Sequence, residues 1–384
     1  MRLLVCVMLL GCETVQVRPS LEPAAEEVEE IEAAAPALAA ISLGVGPRSS
    51  CAVLSDESLW CWGDGDEGLL GGDPGPGPVR VLEAAGLSRV VVGESRVCFL
   101  AAEGVRCFGN LGYARNPVRT EPTAVPRLEG ARDFAVASRH ACFIDGEAKV
   151  RCIGSGASAG ENARVQRLSD PLVSDAEGIA TGLVHSCALA GGYVHCWGEA
   201  YGGRLGGVGV RSYTESARQL PDLEGVRSIS SYSRGAQTCA LLAGDEIRCW
   251  GQTSSTNHRA RYALLGETPV VLEPVGEPVA SIVAGLVQVF AIAESGAVYR
   301  YVSQQPTREE RANGRAQLRV SYGTAARLDL PPVSNIGGGL AHTCALTRDG
   351  AVLCWGLGAG GRLGNGTNGS LPTPTAVHFG ESDS

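Results

Sequence analysis

The sequence predicts an all-β chain that folds as a seven-bladed β-propeller with four strands in each blade. Three observations predict this fold: cysteines in regularly spaced pairs, a hairpin pattern around each pair, and a large apolar residue at the same place in every unit. Counting one unit that lacks cysteines, the pattern occurs seven times, roughly every 49 residues. Repeats of that length are typical of propellers and solenoids.

The cysteines define the repeat. Twelve of the 14 form six pairs whose members lie nine or ten residues apart. The remaining unit, Phe290 to Arg300, has lost both cysteines together, which indicates that each pair is bonded to itself. Zinc ligation is disfavoured, because zinc sites bring ligands within about two to four residues of one another. The predicted disulfides are Cys51–Cys61, Cys98–Cys107, Cys142–Cys152, Cys187–Cys196, Cys239–Cys249 and Cys344–Cys354.

Each predicted disulfide frames a β-hairpin. If Cys187 faces Cys196 across an antiparallel pair, Gly191 and Gly192 form a two-residue turn, and glycine suits the positive φ that such turns need. In all seven units this register also places an aliphatic pair two residues inside the cysteine positions. The glycine turns and the period-two pattern argue against cysteine-stapled helical hairpins. We therefore predict seven β-hairpins.

A large apolar residue follows the second cysteine position of every unit, as packing against a neighbouring copy requires. An aliphatic segment precedes each hairpin, and a segment with Pro and Val follows it after a glycine-rich loop, so each unit offers four short strands. The large apolar residues are Trp62, Phe108, Ile153, Trp197, Trp250, Tyr301 and Trp355.

The repeat resembles that of the regulator of chromosome condensation family. One unit contains the motif residues in His185–Leu189, Cys196–Gly198 and Gly203–Gly206, and the last unit is similar from His342 to Thr367. The resemblance covers about 41–379 and implies a seven-bladed propeller used as an interaction platform. Some members of the family act as nucleotide exchange factors on a nuclear GTPase, and a bacterial member inhibits β-lactamases.

The departures from the family pattern limit what carries over. Units 2, 3, 5 and 6 lack the Gly-x-Leu-Gly loop, and the sixth lacks both cysteines and the Trp-Gly pair. An exported chain does not meet a nuclear GTPase, and no residue here matches a β-lactamase-binding position. We expect neither activity.

The amino terminus predicts export and a lipid anchor. Residues 1–11 are a short apolar signal peptide with a positive start, too short to span a bilayer. The end of this stretch, Leu9 to Cys12, resembles the lipobox of bacterial lipoproteins, which implies cleavage before Cys12 and acylation of that residue; the alternative is an ordinary secretory signal. Glu13 in the next position favours the outer membrane. The predicted location is therefore the bacterial cell envelope, as an outer-membrane lipoprotein.

The remaining chain divides into a tether, a propeller and a tail. Residues 12–40 are rich in Glu, Ala and Pro and are predicted to be a flexible tether. The propeller is predicted to span 41–379, and 380–384 form a short tail. The net charge of −9 belongs mostly to the tether, since 41–379 contain 32 acidic and 30 basic residues. A nearly neutral body gives no electrostatic basis for nucleic-acid binding.

Signatures of catalysis are missing from the sequence. Lys149 is the only lysine and lies in no phosphate-binding loop, and neither a Gly-x-Ser-x-Gly elbow nor a His-Glu-x-x-His motif occurs. We predict no enzyme activity, cofactor or metal. Three histidines two residues before a cysteine, His140, His185 and His342, could line a metal site in the channel. The interpretation that we favour is that they satisfy backbone groups where strands begin.

Two long inserts carry the candidate partner-binding residues. Val302 to Gly323 and Gln252 to Gly266 are rich in arginine and tyrosine, residues enriched at interface hot spots. The candidates are Arg308, Arg311, Arg315, Arg319 and Tyr322 in the first insert and Arg259, Arg261 and Tyr262 in the second. We expect a lipid-anchored, non-catalytic scaffold that binds another envelope protein. The alternative is an envelope enzyme or a glycan-binding lectin that uses the central mouth of the propeller.

Overall fold

A computed structural model describes residues 38–65, 75–109, 119–125, 130–154, 156–160, 168–207, 209, 212–253, 263–304 and 321–380. These residues form seven antiparallel sheets in chain order, which we number blades 1 to 7. Single 3-10 turns at Ala157–Ala159, Tyr201–Gly203 and Ala359–Gly361 are the helical segments of these ranges. The predicted fold class is confirmed. The predicted signal peptide, Cys12 and most of the tether lie outside the described residues.

Each blade comes from one continuous stretch of chain. The strands of blades 1 to 3 are β1 (Ala40–Val45), β2 (Ser49–Leu54), β3 (Ser58–Gly63), β4 (Val79–Glu83); β5 (Arg89–Val92), β6 (Arg96–Ala101), β7 (Gly104–Gly109), β8 (Arg119–Ala124); β9 (Asp133–Val136), β10 (His140–Ile144) and β11 (Val150–Gly154). Those of blades 4 and 5 are β12 (Ala176–Thr181), β13 (His185–Ala190), β14 (Tyr193–Glu199), β15 (Tyr213–Gln219); β16 (Val226–Ser231), β17 (Ala236–Leu242), β18 (Ile247–Thr253) and β19 (Ala263–Val271). Those of blades 6 and 7 are β20 (Val279–Ala284), β21 (Gln288–Ala293), β22 (Val298–Gln304), β23 (Ser321–Tyr322), β24 (Ala326–Arg327); β25 (Val333–Gly338), β26 (His342–Thr347), β27 (Val352–Gly356) and β28 (Leu371–Ala376).

The first strand of every blade faces the centre. These inner strands contact one another in sequence, and β1 also contacts β25, so the blades close into a ring around a central channel. Each blade then continues outward through its second and third strands to the rim. The ring explains why a large apolar residue recurs in every unit, because each blade buries its faces against two neighbours.

The predicted register is confirmed in all blades. Cys187 faces Cys196 and Leu189 faces Val194, with Gly191 and Gly192 in the turn at positive φ. The same offset holds in the cysteine-free blade, where Ile292 faces Val298. The six disulfides join the predicted pairs, each within one hairpin.

Blades 3 and 6 depart from four regular strands on their outer sides. In blade 3 the outer position next to β11 is taken by a segment that contains Ser169 and Val173, which contacts β11 through single backbone hydrogen bonds and one isolated bridge. Pro171 lies in this segment and has no N–H to donate, which limits regular pairing there. In blade 6 the outer strand is split into β23 and β24, which both pair with β22.

The ring closes without strand exchange between blades 1 and 7. The Asn335 side chain donates to the Leu43 carbonyl at 3.1 Å, and Ala40 N–H donates to the Gly350 carbonyl at 2.9 Å. After the outer strand β28, Phe379 packs edge-on against Trp62, with ring centroids 5.9 Å apart. The closure is therefore noncovalent, since the disulfides staple single hairpins.

The glycine that ends the third strand in most blades has a geometric reason. Gly198 has a φ of +108°, and a Cβ there would lie 2.6 Å from the Val184 carbonyl oxygen. A Cβ at Gly356 would be similarly close to the carbonyl oxygen of Ala341. The connection after each third strand crosses directly over the turn between the first two strands of its blade, so the Trp-Gly pair in the repeat is a packing requirement.

Candidate functional site

The central channel is a concave feature formed by the described residues. It has a volume of about 510 Å³ and is lined by all seven inner strands. Most of the lining side chains are Val, Ser, Ala, Gly or Ile, with Thr181, Asn335 and Tyr232 as larger polar groups. Neither a carboxylate nor a histidine is among its described lining residues. An arrangement of this kind can exclude or hold a small molecule, but it lacks the acid–base pair that hydrolysis needs.

One mouth of the channel is crossed by an ion pair that joins two blades. Glu94 pairs with Arg234 at 3.0 Å. The two residues lie in the turns between strands one and two of blade 2 and blade 5, respectively. The Ser138 hydroxyl of blade 3 donates to the other oxygen of the same carboxylate. Blades 2 and 5 are not neighbours in the ring, so these side chains must span the opening.

One ion pair lies at the opposite mouth of the channel. Arg89 pairs with Asp133 of the next blade, and its guanidinium lies 5.4 Å from the centroid of the Phe134 ring. Burial raises the pKa of Asp133, and the Arg89 charge opposes that effect. Ile41, half exposed at 51%, lines the same mouth.

The three predicted histidines lie in the seams between blades. Their Nε2 atoms are hydrogen-bonded to hydroxyl groups of the following blade: His140 to Ser186 at 2.8 Å, His185 to Thr238 at 2.8 Å and His342 to Ser50 at 3.2 Å. We call them the seam histidines. The sequence-based expectation of backbone partners is therefore wrong for these Nε2 atoms. The described residues contain no group of three or more potential metal ligands.

Burial keeps the seam histidines neutral. Burial and, to a smaller extent, the charges of Arg96, Arg204 and Arg362 together lower the pKa to about 3 in His140 and His185 and to about 4 in His342. The last histidine joins blade 7 to blade 1 and so takes part in closing the ring.

A signal in the sequence could have revealed this seam. Each blade that follows a seam histidine has Ser or Thr directly after the corresponding position, at Ser50, Ser186 and Thr238. Three of the other four blades have Val or Ala there. Where the histidine is replaced, Arg96 and Gln237 instead donate to backbone carbonyls of the next blade, at 2.7 and 2.8 Å.

The two long inserts leave the propeller on the same face. Both inserts follow the third strand of their blade. The C-terminal end of the third strand lies beside the turn between strands one and two; in blade 6, for example, Ser303 N–H donates to the Val287 carbonyl. We call this side the insert face. Arg308, Arg311, Arg315, Arg319, Arg259, Arg261 and Tyr262 lie outside the described residues. Tyr322 lies at the base of the blade 6 insert, where its hydroxyl donates to Gln237 of blade 5. Tyr322 therefore links the bases of the two inserts.

The turns on the other face are rich in carboxylates, several of which pair with arginines of adjacent strands, as Asp145 does with Arg151 and Asp245 with Arg227. On this face, the turns between the second and third strands contain nine carboxylates and two basic residues, Lys149 and Arg348. On the insert face, the turns between the first and second strands contain one carboxylate, Glu94, and three basic residues, Arg48, Arg139 and Arg234. The nine are Asp56, Glu57, Glu103, Asp145, Glu147, Asp245, Glu246, Glu294 and Asp349. Connections between blades add Asp222, Glu224, Glu273, Glu277 and Asp329 on the same side. We call it the carboxylate face.

The chain enters the propeller at the carboxylate face, because Ala40 bonds to Gly350 in a turn of that face. None of the helices among the described residues has the length and hydropathy needed to cross a membrane. Six disulfides indicate an oxidising, extracytoplasmic environment.

Comparison with known proteins agrees with the repeat. A family model described as the regulator of chromosome condensation (RCC1) repeat matches 333–362, which lies in blade 7. The ultraviolet-B receptor UVR8 of Arabidopsis thaliana is 24% identical over 377 residues, covering 92% of this chain and 73% of the receptor. These matches support the regulator of chromosome condensation repeat family.

Two further proteins are similar over partial spans. The E3 ubiquitin-protein ligase HERC2 of Homo sapiens is 26% identical over 371 residues, which are 83% of this chain but 7% of the ligase. The solved structure of human WBSCR16 aligns with a TM-score of 0.62 and 21% identity, covering 79% of this chain and 84% of that one. At this identity the solved structure supports the fold alone.

Proposed function

We propose that the protein is a lipid-anchored, extracytoplasmic scaffold of the bacterial envelope that binds a protein partner through the insert face and has no catalysis of its own. The observation that carries the proposal is the placement of the inserts. Two long inserts of adjacent blades leave one face, while the chain enters from the other face. A lipid anchor at Cys12 would therefore join the propeller, through the predicted flexible tether, on the side opposite the inserts.

The charge of the inserts supports this side as the binding surface. The two inserts contain six arginines and two glutamates, whereas the tether is acidic. The excess of positive charge on the inserts steers an acidic partner towards them. We infer that the partner surface is acidic and that its association rate falls with added salt.

The stability of the scaffold supports a binding role. Each disulfide closes a short loop and stabilises its hairpin by about 2–3 kcal/mol in a loop-entropy account. The channel lining, with neither carboxylates nor histidines among its described residues, supports a non-catalytic role.

The test removes the blade 6 insert without touching its base. Gln304 and Ser321 are cross-strand neighbours, so an Asn-Gly turn can replace 305–320. We expect this variant to unfold like the parent but to lose a crosslinked partner from intact envelopes. Exchange of the four insert arginines for Gln should weaken capture in the same way.

The matched control changes charge on the opposite face. Exposed Arg132 and Arg348 lie on the carboxylate side, so their exchange for Gln should leave partner capture unchanged. Capture that survives removal of 305–320 would contradict the assignment of the insert. Cys12→Ser tests the anchor separately, since it should release the protein from membranes while partner binding persists.

A further inference from the structure

Two donors bind a carboxylate at the mouth of the channel on the insert face. The Arg234 guanidinium of blade 5 lies 3.0 Å from Oε1 of Glu94, and the Ser138 hydroxyl of blade 3 donates to Oε2 at 2.5 Å. Donors from two different blades therefore hold both oxygens of one carboxylate. The carboxylate itself belongs to blade 2, which is not a neighbour of blade 5 in the ring.

Other contacts position the two donors independently of Glu94. Arg234 lies in the turn Tyr232–Gly235, whose end residues are joined by a backbone hydrogen bond of 2.7 Å. The Ser138 carbonyl accepts a hydrogen bond of 2.7 Å from the guanidinium of Arg96, which is buried. Removal of the Glu94 carboxylate should therefore leave both donors in place.

The ion pair is accessible from solvent. The side chains of Arg234 and Glu94 are 34% and 32% exposed. Ion pairs with this exposure contribute little to stability, so the exchange of one carboxylate for another costs little. A carboxylate of another molecule can therefore reach Arg234 and replace that of Glu94.

The charge around this mouth favours an acidic ligand. The structure describes all seven turns between first and second strands, and Glu94 is their only carboxylate. The same turns contain Arg48 and Arg139, which are exposed, besides Arg234. Three cationic groups thus attract an acidic segment to the mouth.

We propose that Arg234 and Ser138 form a docking site for a carboxylate side chain of the acidic partner, and that Glu94 fills this site in the free protein as an internal competitor. The partner must displace Glu94, which selects against partners with few acidic residues. The site lies close to the inserts, because Gln237 in the next strand accepts from Tyr322 at the base of the blade 6 insert. The inference rests on the proposed function, since it adds a contact to the same acidic partner.

The test measures binding of a defined acidic peptide to the purified mature protein. Fluorescence anisotropy with labelled hexaglutamate compares the parent with Glu94→Ala, which empties the site. We expect the peptide to bind this variant roughly 2- to 5-fold more tightly, because Arg234 no longer has an internal partner. Glu94→Gln keeps the size of the side chain and removes its charge, so it should give a gain in the same direction. The gain should disappear when Arg234→Gln is added to Glu94→Ala.

Glu103→Ala is the matched control. It removes an exposed carboxylate that also pairs with an arginine, Arg106 at 3.2 Å, but lies in a turn of the carboxylate face. The net charge changes by the same amount as in Glu94→Ala. We expect Glu103→Ala to bind hexaglutamate like the parent, because screening by salt limits the effect of a distant charge.

Three results would overturn the proposal. Unchanged or undetectable affinity in both Glu94 variants, with unfolding midpoints equal to the parent, would mean that carboxylates do not use the site. An equal gain in Glu103→Ala would assign the effect to net charge. A gain that persists in the double variant would exclude Arg234 as the donor. The peptide titrations do not involve the envelope partner, so their failure is distinguishable from survival of partner capture after removal of 305–320.

Discussion

The hydrogen bond between His342 and Ser50 makes the closure of the ring testable. It joins the last blade to the first at 3.2 Å, and both side chains are buried. Ser50→Ala leaves Nε2 of a buried imidazole without a partner, and Nδ1 already has none among the described residues. Leaving a buried polar atom unpaired costs about 1–3 kcal/mol, so the free energy of unfolding should fall by about that amount.

A double-mutant cycle separates the hydrogen bond from packing. His342→Leu removes the other partner at similar volume, and the double variant leaves neither polar group unpaired. We therefore expect the double variant to be less destabilised than the sum of the single variants, with a coupling energy of about 1–2 kcal/mol. Urea unfolding followed by tryptophan fluorescence at about pH 7.5, with disulfides intact, measures it above the ordinary pKa of histidine.

The equivalent bond inside the chain provides the control. The Ser186 hydroxyl donates to the Ser158 carbonyl at 2.9 Å and therefore accepts from His140 Nε2 between blades 3 and 4. Ser186→Ala should cost at least as much as Ser50→Ala, because it removes both of these hydrogen bonds. The reasoning is refuted if the single effects at blades 7 and 1 add to within about 0.5 kcal/mol, since additivity means no energetic contact.

Three further predictions concern pH, backbone geometry and the ring seam. Burial lowers the pKa of the seam histidines to about 3, 3 and 4, so between these values and about pH 6.5 the unfolded chain binds protons that the folded chain does not. The free energy of unfolding should therefore be greatest above about pH 6.5 and fall steadily towards about pH 4. A urea midpoint that stays constant between about pH 6.5 and about pH 4 would contradict this prediction. Gly198→Ala should destabilise by about 2 kcal/mol or more, because its Cβ would lie 2.6 Å from a carbonyl oxygen at a φ of +108°; thermal unfolding equal to the parent would disprove this strain. Phe379→Ala removes edge contacts to Trp60 and Trp62 and should lower stability by about 2 kcal/mol, with a change in tryptophan fluorescence as an independent readout; an unchanged emission spectrum means that the seam contact does not form.

The hairpins were predictable because their determinants are local. A disulfide across nine or ten residues, a glycine turn and an aliphatic cross-strand pair all act within one unit, and seven in-phase copies repeat the evidence. Blade 6 shows that the cysteines are dispensable for this register, since its aliphatic pair faces correctly without them. The outer strands were less predictable, because Pro171 and the long inserts interrupt their pairing.

The sequence alone therefore determined the repeat, its seven hairpins and the disulfide pairing, since each of these depends on residues close together in the chain. Tertiary structure decided the rest. The seam hydrogen bonds and the Glu94–Arg234 bridge over one mouth join residues of different blades. The sorting of charge between two faces likewise follows from which turns the ring brings to the same side. These features arise only when the ring closes, because closure fixes which distant turns and strand edges meet.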